Sequence, residues 1–163
     1  VVTGAALAYF MANRYDEAIA LCTECLDVHP DYVFALYLRG QCYHLKGMHP
    51  TAQAELERAA ELGNRAPFYL GLLGKSYGEA GRRDKAMAIV AELDALQQRQ
   101  YVAPHCYVYV YHGLGERERA LLHQEDAYRD GGQPLNYLSP YIRNLFSLDP
   151  THRDRLRQMR LNV

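Results

Sequence analysis

The chain has 163 residues, 18 Lys and Arg against 19 Asp and Glu, a formal net charge of −1 and 49% hydrophobic residues. That balance points to an ordered, soluble protein and excludes nucleic-acid binding driven by bulk charge. No apolar run reaches the roughly 20 residues that cross a bilayer, no signal or transit segment is recognisable, and four cysteines without a disulfide framework fit a reducing compartment, expected to be the cytoplasm.

An alanine returns every 34 residues, at Ala18, Ala52, Ala86 and Ala120. Each follows a turn residue (Asn13, Gly47, Gly81, Gly115), a tyrosine (Tyr9, Tyr43, Tyr77, Tyr111) and an earlier, smaller or branched residue (Ala6, Gly40, Gly74, Val108) at constant offsets. A fixed period of this length signals stacked repeats. The first unit, about residues 1–32, opens partway into its first helix, as in a fragment of a longer chain, and Pro30 stops its second helix. The second, 33–66, runs from Tyr32-Val33-Phe34 through Gly40 and Tyr43, breaks at Lys46-Gly47, resumes through Ala52, Leu56 and Ala59, and stops at Gly63-Asn64. The third, 67–100, repeats the scheme with Tyr69, Leu73, Gly74, Tyr77, Ala86, Val90 and Leu93. The fourth, 101–130, departs most: Val108 replaces a small residue and Gln124 an apolar one, so this hairpin is expected to pack less tightly. Beyond Gly131-Gly132 the period ends. Ser139-Pro140 and Asp149-Pro150 predict two short helices, about 140–147 and 150–160, as a C-terminal cap over 131–163.

These in-phase columns resemble the tetratricopeptide repeat family. The resemblance implies an all-α fold, a right-handed α-solenoid of four helix-turn-helix repeats closed by the two-helix cap, and a scaffold that binds proteins rather than an enzyme. A narrower likeness rests on Tyr101-Val102-Ala103-Pro104, Gly113-Leu114-Gly115, Ala120-Leu121, Ala127-Tyr128, Leu138, Pro140 and Leu148-Asp149-Pro150. That set is similar to the C-terminal repeat segments of bacterial multidomain regulators, which implies a DNA-binding, cyclase or kinase domain upstream. Thr151-His152 depart from the Arg-Phe pair expected there.

Motifs that would carry chemistry give way to packing explanations. Cys22-Thr23-Glu24-Cys25 spells C-x-x-C, but a structural zinc site needs a second pair or matching histidines. In repeat register both cysteines fall on core columns, where cysteine acts as a small apolar residue. His44 and His112 share a repeat position, and His105 lies seven residues before His112 on the same helix face. No carboxylate occupies the equivalent column, so no metal site is expected. No nucleophile elbow or phosphate loop occurs. Asp16-Glu17 and Glu55/Glu57/Glu61 are read as solvent-facing, and Arg153 to Arg160 as the polar exterior of the cap. No cofactor is expected.

In the family, the first helices of successive units line a concave groove. Transfer by register assigns Leu7 and Phe10; Phe34, Tyr37, Gln41 and His44; Phe68 and Lys75; and His105, Tyr109 and His112. Gly71 and Gly78 would leave the floor open for a bulky side chain. The set is aromatic with one cation, Lys75, and lacks the basic clamp that holds carboxylate-terminated peptides in some relatives. It suits a protein or peptide ligand with apolar anchors. Homodimerisation is the alternative, with neither membrane nor nucleic acid as a direct partner.

Overall fold

The computed structural model describes residues 2–129 and Asp154. The expected capping helices therefore lie outside the described residues, Asp154 apart. Among these residues the chain forms α1 (Val2–Met11), α2 (Tyr15–Val28), α3 (Val33–Leu45), α4 (His49–Leu62), α5 (Pro67–Glu79), α6 (Arg83–Gln97), α7 (His105–Gly113) and α8 (Arg117–Arg129), and no strand. The helices pair as four hairpins, and each hairpin packs on the next in chain order. This is the all-α solenoid expected from the period.

The turn inside each hairpin is one motif used four times. Asn13 and Gly47 take positive φ of 60° and 75°, the left-handed conformation that ends a helix, and Gly81 and Gly115 match them. The residue after each donates its N–H back to the tyrosine column: Arg14 to Tyr9 O, Met48 to Tyr43 O, Arg82 to Tyr77 O and Glu116 to Tyr111 O, all at 2.9 Å. The left-handed residue itself bonds the carbonyl one position later, at Phe10, His44, Gly78 and His112. Two carbonyls that a helix end would leave orphaned are thereby satisfied. The alanine column then opens each second helix, with Ala18, Ala52, Ala86 and Ala120 bonding the carbonyl four residues earlier. All four alanines are buried, because a larger side chain there would hold the paired helices apart.

Leu36, Leu38, Leu56, Leu70, Leu72, Leu73, Leu93, Val108 and Val110 fill the interior between hairpins. Burying each such side chain contributes roughly 1.5–3 kcal/mol. The C-x-x-C reading as core is borne out. Cys22 is fully buried, Cys25 half-buried, and both are free thiols. Burial pushes the Cys22 thiol up to about 12, far from the thiolate that metal binding or redox chemistry needs.

Two expectations about side chains are corrected. Glu55 and Glu57 are not solvent-facing: Glu55 receives Arg39 at 2.7 Å with both side chains largely covered, and Glu57 accepts the Tyr77 hydroxyl at 2.9 Å. Arg39 also donates to Thr23 Oγ1 at 3.0 Å, so it ties α2, α3 and α4 together. The fourth hairpin is also not loosely attached. Val108 is wholly buried, and α7 lies close along α5. The departure at Gln124 shows elsewhere: the residue is 2% exposed, and neither amide atom has a hydrogen-bond partner among the described residues.

Candidate functional site

The first helices α1, α3, α5 and α7 carry the groove positions, and their side chains divide into a rim and a packed floor. Leu7 and Phe68 are 40% and 41% exposed, while Phe34, His105 and His112 are half-buried. Phe10, Tyr37, Gln41, His44, Lys75 and Tyr109 are buried. Tyr37 explains the pattern. Its ring lies 4.5 Å, tilted, from that of Phe68 and 5.3 Å, edge-on, from that of Tyr69, so α3 and α5 meet through packed aromatics. Burial, with Tyr109 and Cys106 of α7 nearby, holds the Tyr37 hydroxyl well above the usual phenol range.

The glycines of α5 do not leave an open floor. A Cβ on Gly71 would stand 3.0 Å from Cys106 Cα, and one on Gly78 would stand 2.5 Å from the Gly113 carbonyl carbon. A Cβ on Gly113 would in turn lie 2.4 Å from the Lys75 carbonyl oxygen. The backbone of α7 thus occupies the space that register transfer left for a ligand side chain. Glycine is required because the two backbones touch.

Lys75 is not a lone groove cation, and a carboxylate does accompany the histidines. Glu79, one turn beyond Lys75 at the end of α5, forms an ion pair with Lys75 Nζ through Oε1. His44 Nε2 lies 2.6 Å from Glu79 Oε2 and 3.1 Å from Lys75 Nζ. Burial alone would push the Glu79 carboxyl up, but the His44 hydrogen bond and the Lys75 charge outweigh it and hold it at about 2. Burial lowers His44 despite the bond to Glu79, and lowers Lys75 against the pull of the same carboxylate. His112 is pushed down to about 4, by burial first and the Lys75 charge second. His49, the first residue of α4, completes the group: its ring centroid is 5.2 Å from that of His44. At neutral pH the cluster therefore holds an ionised Glu79 carboxylate and the Lys75 ammonium beside neutral His44 and His112 rings.

Register reasoning missed Glu79 and His49. Glu79 falls one residue past the last transferred position, and His49 belongs to the second helix of its hairpin. Spacing did carry a signal, since His44 and His49 flank the Gly47 turn that folds α4 back beside the end of α3. A second concavity, at the junction of α6, α7 and α8, is lined by Tyr101, Pro104, Tyr107 and His123. There the His123 ring stacks on Tyr107 at 4.7 Å, and the Tyr107 hydroxyl lies 3.0 Å from both Asp94 Oδ1 and Gln97 Oε1.

No described helix is long and apolar enough to cross a membrane. No curated protein matches the chain. Residues 9–76, from the tyrosine column of the first hairpin to the last turn of α5, match the family model of the tetratricopeptide repeat. Repeats of this kind are in general protein–protein interaction modules rather than catalysts. Residues 9–76 are thus similar to the tetratricopeptide repeat, and the third and fourth hairpins continue the same turn motif in the same register.

Proposed function

We propose that the chain is a non-catalytic docking module whose concave face takes an extended or helical segment of a partner protein. The observation that carries this reading is Phe68, a large aromatic left 41% exposed on top of the buried Tyr37 ring. Leu7 and Phe34 continue the apolar rim toward the first hairpin, and the half-buried His105 and His112 supply polar edges on α7. Rigid apolar anchors beside a few hydrogen-bonding tips are what a peptide interface uses. The buried Phe10, Tyr37, Gln41, His44, Lys75 and Tyr109 act as the floor that holds these anchors in place. The likeness of residues 101–150 to regulator segments favours a regulatory role beside a further domain in a bacterial cytoplasmic protein. The four free thiols fit that compartment.

A peptide array followed by titration of its best binder tests the reading. Phe68→Ala is the informative variant, because the residue is exposed and its loss leaves the core intact. Affinity is expected to fall about tenfold or more, as for an anchor contributing over 1 kcal/mol. Unchanged affinity in Phe68→Ala and Leu7→Ala together would reject the groove. Homodimerisation is favoured by one separate feature. Val28, Tyr32 and Leu62 are exposed at the ends of hairpins, where successive units join. A dimer in light scattering that Val28→Glu dissolves would support that second reading, and a monomer at high concentration would end it.

A further inference from the structure

We propose that His44, His49 and Glu79 form a binding site for a divalent transition-metal ion of the zinc class, at the turn end of the second and third hairpins. The residues come from three helices: His44 from the last turn of α3, His49 from the first residue of α4 and Glu79 from the last residue of α5. One ligand atom from each can be chosen so that all three lie within 4.8 Å of one another. A tetrahedral ion with bonds of about 2.0–2.1 Å sets its ligand atoms roughly 3.3 Å apart. Closure needs displacement of the Lys75 ammonium, a rotation of the exposed His49 ring and a small separation of His44 Nε2 from Glu79 Oε2, now 2.6 Å apart.

Donor chemistry favours this class of ion. Two imidazoles and a carboxylate suit zinc and its neighbours, whereas magnesium and calcium want oxygen alone. The neighbours of Glu79 hold its carboxylate ionised, and burial disfavours the charged form of His44. The same donors already converge on a cation, since the Lys75 ammonium touches His44 Nε2 and pairs with Glu79. His49 and Glu79 are exposed, which gives the ion a path from solvent and leaves a fourth coordination position for water. Three protein ligands and one open position are a known arrangement for zinc, so nothing further is required of the fold.

Lys75 supplies the distinguishing consequence. Its ammonium and the ion compete for the same two donors, so metal binding has to displace it. A structural accident of histidines would show no such competition. The site stands apart from the peptide-docking reading: its donors lie at the turn end of the hairpins, and its test needs no partner.

The test is titration of the untagged 163-residue chain with Co²⁺ at neutral pH, read by visible absorption, with Zn²⁺ competing. We expect one saturable equivalent with the intense bands of a four- or five-coordinate ion, bleached by Zn²⁺. His49→Ala leaves the core untouched and is expected to weaken binding at least about tenfold, as is Glu79→Gln. Lys75→Met is expected to tighten binding by a similar factor by removing the competitor. Circular dichroism of each variant verifies the fold. Absence of a saturable equivalent overturns the proposal, as does an equivalent that His49→Ala leaves unchanged, which would place the ion among the other histidines. Weaker binding in Lys75→Met also overturns it.

Discussion

The junction between the second and third hairpins and the junction between the third and fourth share one register but are built in opposite ways. Where α3 carries Tyr37 and His44, α5 carries Gly71 and Gly78. At the first junction, side chains separate the helices: the Tyr37 ring lies between Phe68 and Tyr69, and the His44 ring reaches Glu79. At the second, Gly71 and Gly78 put no side chain between the helices, and there the backbone of α7 rests on that of α5. The choice of residue at two positions per repeat thus sets how closely neighbouring first helices approach: aromatic side chains lie between α3 and α5, and glycines let α5 and α7 touch.

The largest test of this contrast is Gly78→Val. Its Cβ would stand 2.5 Å from the Gly113 carbonyl carbon and 2.7 Å from Leu114 N, so the α5–α7 junction must open. A loss of about 3 kcal/mol or more in urea unfolding is expected. A loss under about 1 kcal/mol would mean that the two helices are not held together.

The second test concerns the buried amide of α8. Gln124→Leu keeps the volume and removes two polar atoms without partners among the described residues. Stability is expected to rise by about 1 kcal/mol, measured the same way.

Third, acid should weaken the fold through its buried histidines. Burial lowers His105, His112 and His123, all in α7 and α8, below the usual histidine range. The unfolded chain therefore takes up these protons first as pH falls. The stability they contribute is complete above about pH 6.5 and declines beneath it, with a slope of at most about 1.4 kcal/mol per pH unit for each histidine. Urea midpoints at pH 7.5 and 5.5 check this, and His105→Gln should reduce the difference.

The smallest effect serves as control. Gly4 in α1 has nothing within 4 Å of an added Cβ. Gly4→Ala should gain about 0.5–1 kcal/mol from helix propensity alone. Adding a side chain to a glycine would then have opposite signs in α1 and in α5.

Much of the architecture was legible before any coordinates. The turn column, the alanine column and the tyrosine column are tied to covalent spacing, and a hairpin that repeats its hydrogen bonds must repeat the residues that permit them. The narrower assignments failed for a different reason. Gly71 and Gly78 are compatible with an empty floor or with a neighbour's backbone, and only the path of α7 decides between the two. Lys75 reads as a free cation until Glu79 is seen to reach it, and Glu79 lies outside the transferred columns. Register assigned Tyr37 and Tyr109 to the groove, yet both are buried, and periodicity says nothing of how deeply a face is covered.

The bare face of α5 also bears on how the protein is made. Three interior glycines, Gly71, Gly74 and Gly78, each cost about 1 kcal/mol of helix propensity relative to alanine. Until α7 has left the ribosome, nothing compensates that loss along this face. The third hairpin is therefore completed by the fourth, and nascent chains that end between them should be the ones that chaperones hold longest.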